Sequence, residues 1–122
     1  MKIVKIDGGL VFDNGCRLTD HHEQDCCESV YADWDNMQIA TYIGANQLDI
    51  TELDFNVNLV DDIKLLPSIG FIVEATNGVK LFVSCYNYQN GYYSSALDLL
   101  FDDINGNTEV IDITECVEDH IC

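Results

Sequence analysis

The stretch His21-His22-Glu23-Gln24-Asp25-Cys26-Cys27-Glu28 brings two imidazoles, two adjacent thiols and three carboxylates into one short segment. These are the side chains that ligate transition metals or titrate near neutral pH. A zinc site would take His21 or His22 with Cys26 or Cys27 and complete its shell with a distant pair such as His120 and Cys122. The spacing opposes it, because zinc knuckles separate their two cysteines by two to four positions and the side chains of adjacent cysteines diverge. A nucleophilic cysteine would need a thiolate held by a nearby imidazolium, and the surrounding acids work against that by like-charge repulsion. A vicinal disulfide is disfavoured in a reducing compartment. The favoured reading is structural: one cysteine packs as a small hydrophobe, a histidine bonds a carboxylate, and Asp25 and Glu28 satisfy turn amides. No cofactor follows from it, with zinc as the residual alternative.

A second cluster, Cys85-Tyr86-Asn87-Tyr88-Gln89-Asn90-Gly91-Tyr92-Tyr93-Ser94-Ser95, sets four tyrosines around a tight turn. Tyrosine combines a flat apolar face with a polar tip, which suits an interface or a planar ligand. Cross-strand pairing of the rings about a hairpin tip is the plainer alternative. The candidate binding residues are therefore His21, His22, Asp25, Cys26, Cys27 and Glu28, with Asn90, Tyr92 and Tyr93 as companions.

The elements that must position them read as strands and tight turns. Asp13-Asn14-Gly15, Asn77-Gly78, Gln89-Asn90-Gly91 and Asn105-Gly106-Asn107 each lie between β-prone runs, and Asn-Gly predicts type I′ hairpin turns. The flanking runs predict strands over Lys2–Ile6, Leu10–Phe12, Cys16–His21, Gly70–Thr76, Val79–Tyr86 and Tyr92–Phe101, and Ser29–Ala32 reads as extended. Short helices are expected over Leu59–Leu66 and Thr114–Ile121. The fold class is α+β and β-rich, a mainly antiparallel meander of hairpins with one or two short helices, in a single acidic domain spanning 1–122. On a strand through His22, His21 shares a face with Thr19 while His22 shares one with Leu18 and Asp20. Only one of the two imidazoles can then face a common site.

Twenty-two acids against five bases give a net charge of −17, yet six Tyr, five Phe and one Trp in strand-like runs indicate a folded chain. That balance excludes non-specific nucleic-acid binding and attachment to an anionic membrane, both of which need clustered Lys and Arg. It favours a basic protein partner or a multivalent cation. The N-terminal residues lack the apolar core of a signal peptide and no apolar run reaches membrane-span length, so a cytoplasmic location with reduced thiols is expected. Asp102-Asp103-Ile104-Asn105-Gly106-Asn107-Thr108-Glu109 resembles a calcium loop, but its glycine and terminal glutamate fall at the wrong offsets for an EF-hand. No phosphate loop, nucleophile elbow or HExxH motif occurs.

Taken in order, the His-x-x-x-Asp-Cys-Cys-Glu-x-Val-Tyr segment (His21, Asp25, Cys26, Cys27, Glu28, Val30, Tyr31) and the Asn-Gly-Tyr-Tyr-Ser turn (Asn90 to Ser94) resemble a family of small proteins of unknown function. That family is encoded by bacteriophages and by bacteria carrying phage-derived genes. The resemblance spans roughly Val11 to Leu100 and departs from the family over Leu48–Ser68 and from Asp102 onward. It implies a phage-related origin and a host cytoplasm or virion as the place of action, but no mechanism. The functional expectation is a non-enzymatic interaction protein whose acidic surface engages a protein partner, an inhibitor or nucleic-acid mimic being one form of it. The alternatives are a small metal- or thiol-dependent enzyme centred on the His/Cys cluster and a minor virion structural protein.

Overall fold

In a computed structural model of the chain, which describes residues 1–22, 29–39, 50–89 and 96–121, regular structure is β throughout and broken only by 3-10 turns. One sheet runs β1 (Ile3–Ile6), β2 (Gly9–Phe12), β3 (Arg17–His21), β9 (Asp98–Asp102), β10 (Thr108–Asp112), every neighbouring pair antiparallel. The second is built on the long strand β8 (Lys80–Gln89). The first half of β8 pairs with β7 (Gly70–Glu74) and with the two-residue β5 (Gln38–Ile39). Its second half pairs with β4 (Ser29–Ala32) and, in parallel, with β11 (Val117–Ile121). β6 (Ile63–Leu66) extends the sheet beyond β7.

Three of the Asn/Gly turns join neighbouring strands as expected, but as three-residue loops rather than type I′ turns. Phe12 N–H bonds the Cys16 carbonyl, Ala75 N–H that of Val79 and Asp103 N–H that of Asn107, at 2.8–2.9 Å. Inside each loop only the glycine has positive φ: 90° at Gly15, 88° at Gly78 and 82° at Gly106. A type I turn closed by one left-handed residue is the three-residue solution for a hairpin. The asparagine is thereby kept out of the left-handed region, and its side chain reaches forward: Asn14 Oδ1 accepts from Cys16 N–H and Asn77 Oδ1 from Val79 N–H, both at 3.1 Å.

The β-rich prediction holds and the helices do not. Leu59–Leu66 is a 3-10 turn over Leu59–Asp62 running into β6, and Thr114–Ile121 is a turn over Thr114–Cys116 running into β11. Neither turn has a side-chain cap bond. A helix this short nucleates poorly, and the β-branched residues that follow gain more by pairing with a neighbouring strand.

The inner faces of the two sheets meet in one cluster that includes Leu18, Leu99 and Phe101 from the first and Phe71, Val83 and Cys85 from the second. Phe12 packs edge-on against Phe55 with centroids 5.7 Å apart, and Trp34 against Phe71 at 5.5 Å. Gly9 and Gly70 let strands approach where no side chain fits. Both have positive φ, and a Cβ on either would collide with a carbonyl oxygen of the next strand, that of Leu18 or of Val83.

Candidate functional site

Strand pairing sets the geometry of the two sequence motifs. The first leaves the end of β3 and enters β4; the second leaves the end of β8 and enters β9. β3 pairs with β9 through His21↔Asp98, and β4 pairs with β8 through Ser29↔Tyr88. Both connections therefore cross between the same two strand pairs at the same end of the sheets. β11 finishes there too, with Ile121 opposite Gln89. The backbone thus brings the flanks of the two motifs together at one end. Asp25, Cys26, Cys27, Glu28, Asn90, Tyr92, Tyr93 and Cys122 themselves lie outside the described residues.

Side chains at the strand ends pin the base of this region. Asp20, half-buried on β3, takes Ala32 N–H on Oδ2 and Trp34 Nε1–H on Oδ1, both at 2.9 Å. Ala32 and Trp34 are buried, so one carboxylate ties the strand before the first motif to the strand and turn after it. Asp33 N–H adds a bond to the Ser84 carbonyl on β8. His22 Nδ1 lies 2.5 Å from the Ala96 carbonyl oxygen. A carbonyl can only accept, so Nδ1 carries the proton, and the bond couples the start of the first motif to the end of the second.

The two histidines diverge, as strand alternation requires. His21 is exposed and opposite Asp98, whereas His22 is half-buried on Ala96. Tyr31 and Tyr86, cross-strand partners on β4 and β8, stand with ring centroids 5.9 Å apart, so this part of the tyrosine cluster is a cross-strand pair. Among the described residues no group of three His, Cys, Asp or Glu side chains is arranged to hold a metal ion. In the calcium-like loop the carboxylates serve the hairpin: Asp103 Oδ1 accepts from Asn105 N–H and Asn107 N–H at 2.9 Å, and Asp102 from the Thr108 hydroxyl at 2.6 Å.

Cys16, Cys85 and Cys116 are free, buried thiols. Burial pushes all three pKa values up, that of Cys85 to about 12, with the charges of Cys116 and Asp20 adding to the effect. Such thiols stay protonated and pack as small apolar groups. Asp20, Trp34, Cys16 and Cys116 carry no motif signature, and Cys85 stands only at the margin of the tyrosine cluster. The sign that could have marked Asp20 is its place two residues after Leu18, on the inward face of β3, where a carboxylate needs partners.

Charge is distributed unevenly. All five Lys and Arg lie at or before Lys80, and residues 81–122 carry eight Asp and Glu with none. Several cations sit beside local acids: the N-terminal ammonium is 2.7 Å from Asp54, Lys5 is 3.5 Å from Asp7, and Lys80 is 3.5 Å from Glu74. Across the outer face of the first sheet, at the end where the motifs leave, His21, Asp98 and Asp112 occupy one row. No helix among the described residues is long and apolar enough to cross a membrane. The chain matches no family model, no curated protein and no solved structure.

Proposed function

We propose that this chain is a non-enzymatic binding protein of phage-related origin, acting in the cytoplasm, whose acidic end engages a basic protein partner. The supporting observation is the convergence of the flanks of both motifs at one end of the sheets, beside acid-rich strands β9 and β10. A field of this sign raises the encounter rate with a cationic surface, and the tyrosine-bearing segment supplies apolar contact area. The three buried thiols are free, in keeping with a reducing compartment.

Capture from host lysate at low and at high salt tests the reading. The expected result is a basic protein retained at low salt and released above about 0.15 M ionic strength, where the screening length falls to roughly 8 Å. Recovery of no basic partner, or of one insensitive to salt, contradicts it. Competition by duplex DNA for the captured partner separates a nucleic-acid mimic from an inhibitor that binds elsewhere.

A further inference from the structure

We propose that the outer edge of β10 accepts an extended, Lys- or Arg-bearing segment of the partner as a sixth strand of the first sheet. This rests on the basic-partner reading and names where and how such a partner docks.

Hydrogen bonding shows which backbone groups face outward. Just beyond the two ends of the β9–β10 ladder, Asp103 N–H bonds the Asn107 carbonyl and Ile113 N–H bonds the Leu97 carbonyl, both in the register that pairs Val110 with Leu100. Bonded pairs alternate along an antiparallel ladder, so Glu109 and Ile111 turn their N–H and C=O toward β9. Thr108, Val110 and Asp112 turn theirs to the other side, where no strand among the described residues pairs with β10. They offer the ladder that an added strand requires.

Of the devices that usually block such pairing, this edge carries only the acids Glu109 and Asp112. Its register is unbroken, it holds no proline or lysine, and Val110 is 63% exposed at its centre. The opposite edge of the sheet differs. β1 carries a register shift between Ile3 and Lys5, and the residue before it, Lys2, is bridged to Asp54. The edge strand β6 of the other sheet carries Lys64.

Charge selects the occupant. A second copy would set Glu109 and Asp112 against the same acids, and like charges directly opposite destabilise a strand pair. Asp98 and Asp112 already face each other in a close, non-bonded pair. A cationic side chain beside Asp112 would continue the row His21, Asp98, Asp112 with a compensating charge. Beyond Asp112, an open hollow of about 400 Å³ bordered by Asp112, Thr114 and Glu115 has room for such a chain.

The test uses the ¹⁵N-labelled chain and an alternating Lys-Val peptide of about ten residues, the upper length of common strands. Hydrogen exchange at the amides of Thr108, Val110 and Asp112 should slow at least about tenfold with this peptide, and not with a Glu-Val peptide of equal length. Val110→Pro removes an outward N–H and leaves the bonds of Glu109 and Ile111 to β9 intact, so it should abolish the protection while keeping the far-UV spectrum. Should that variant fail to fold, Val110→Lys keeps the backbone and repels a basic strand, and should weaken binding about tenfold. Unchanged exchange at the three amides, or equal binding by Val110→Lys, overturns the proposal. Protection confined to residues 21–31 and 86–98 overturns the β10 edge but leaves the basic-partner reading standing. A peptide that binds nowhere counts against both. A dimer that Val110→Lys dissolves would assign the edge to a second copy and overturn the choice of occupant.

Discussion

Asp20→Ala removes a carboxylate that joins the two sides of the first motif. It leaves Trp34 Nε1–H and Ala32 N–H without their 2.9 Å acceptor, in residues only 4% and 5% exposed. A hydrogen bond to a charged acceptor contributes about 1.5–3 kcal/mol net, and an orphaned buried donor costs about 1–3 kcal/mol. Asp20 is itself half-buried, so water recovers part of the loss. About 3 kcal/mol is then the expected destabilisation, toward the lower end of the two bonds combined. With an unfolding entropy of about 2.1 cal/mol/K per residue, a chain of this length should melt about 12 °C lower. Asp20→Asn keeps one acceptor and turns an amide N–H toward the other donor, so it should fall about half as far or slightly more. Thermal melts followed by circular dichroism read the shift. Trp34 is the sole tryptophan, so its fluorescence reports the lost indole bond directly. In the Trp34→Phe background the same alanine change should cost about 1–2 kcal/mol less, the coupling expected of partners in contact. A fall of less than about 3 °C, roughly 0.8 kcal/mol on that entropy scale, with an unchanged emission spectrum would refute the clamp.

Other changes probe the frame. Gly70→Ala should cost at least about 2 kcal/mol, because its methyl meets the Val83 carbonyl and its backbone sits at positive φ; equilibrium urea unfolding measures it. Native protein should leave Cys16, Cys85 and Cys116 unalkylated until denaturant is added, as labelling followed by peptide mass mapping will show. Because the Cys85 pKa is raised from 9.0 to about 12, its contribution is complete below pH 9 and is lost as pH rises toward 12. Cys85 should contribute a fall of about 1.4 kcal/mol per pH unit across that window, so the slope of Cys85→Ala should be shallower than the parent's by one proton. Thr114→Val orphans the buried Leu97 N–H, which its hydroxyl accepts at 3.1 Å, at a cost of about 1–2 kcal/mol at any pH. The Thr114 side-chain and backbone bonds hold Asp112 below the usual carboxylate range, a contribution present above about pH 4 and lost as pH falls through the depressed pKa. The deficit of the valine variant should therefore shrink in acid, while Thr114→Ser behaves as the parent in urea titrations across pH.

Much of the frame was legible because its signals are local. Leu18 alternates with Arg17 and Thr19, and Asn14-Gly15, Asn77-Gly78 and Asn105-Gly106 each mark a reversal, so β2, β3, β7 and β8 fall close to their expected places. The turn type was not legible, since two- and three-residue loops share the same Asn-Gly signal and differ only in where the strands close. β6 and β11 read as helices because their apolar residues fit either period; their strand state depends on β7 and β8, which are distant in sequence. At the site, alternation foretold the divergence of His21 and His22. The Asp20 clamp was hidden, because its partners Ala32 and Trp34 meet it only through folding across the two sheets.

The central claim is that the end of the sheets where both motifs leave, together with the β10 edge, forms the face that meets a basic partner. Mapping amide shift changes on the labelled chain, as the captured partner is titrated at low salt, tests it most directly. The account predicts changes clustered over residues 21–31, 86–98 and 108–112 that vanish at about 0.5 M salt, where screening is nearly complete. Changes centred on β1 and β2 or on the Ile63–Lys80 face, or changes that survive high salt, would contradict it.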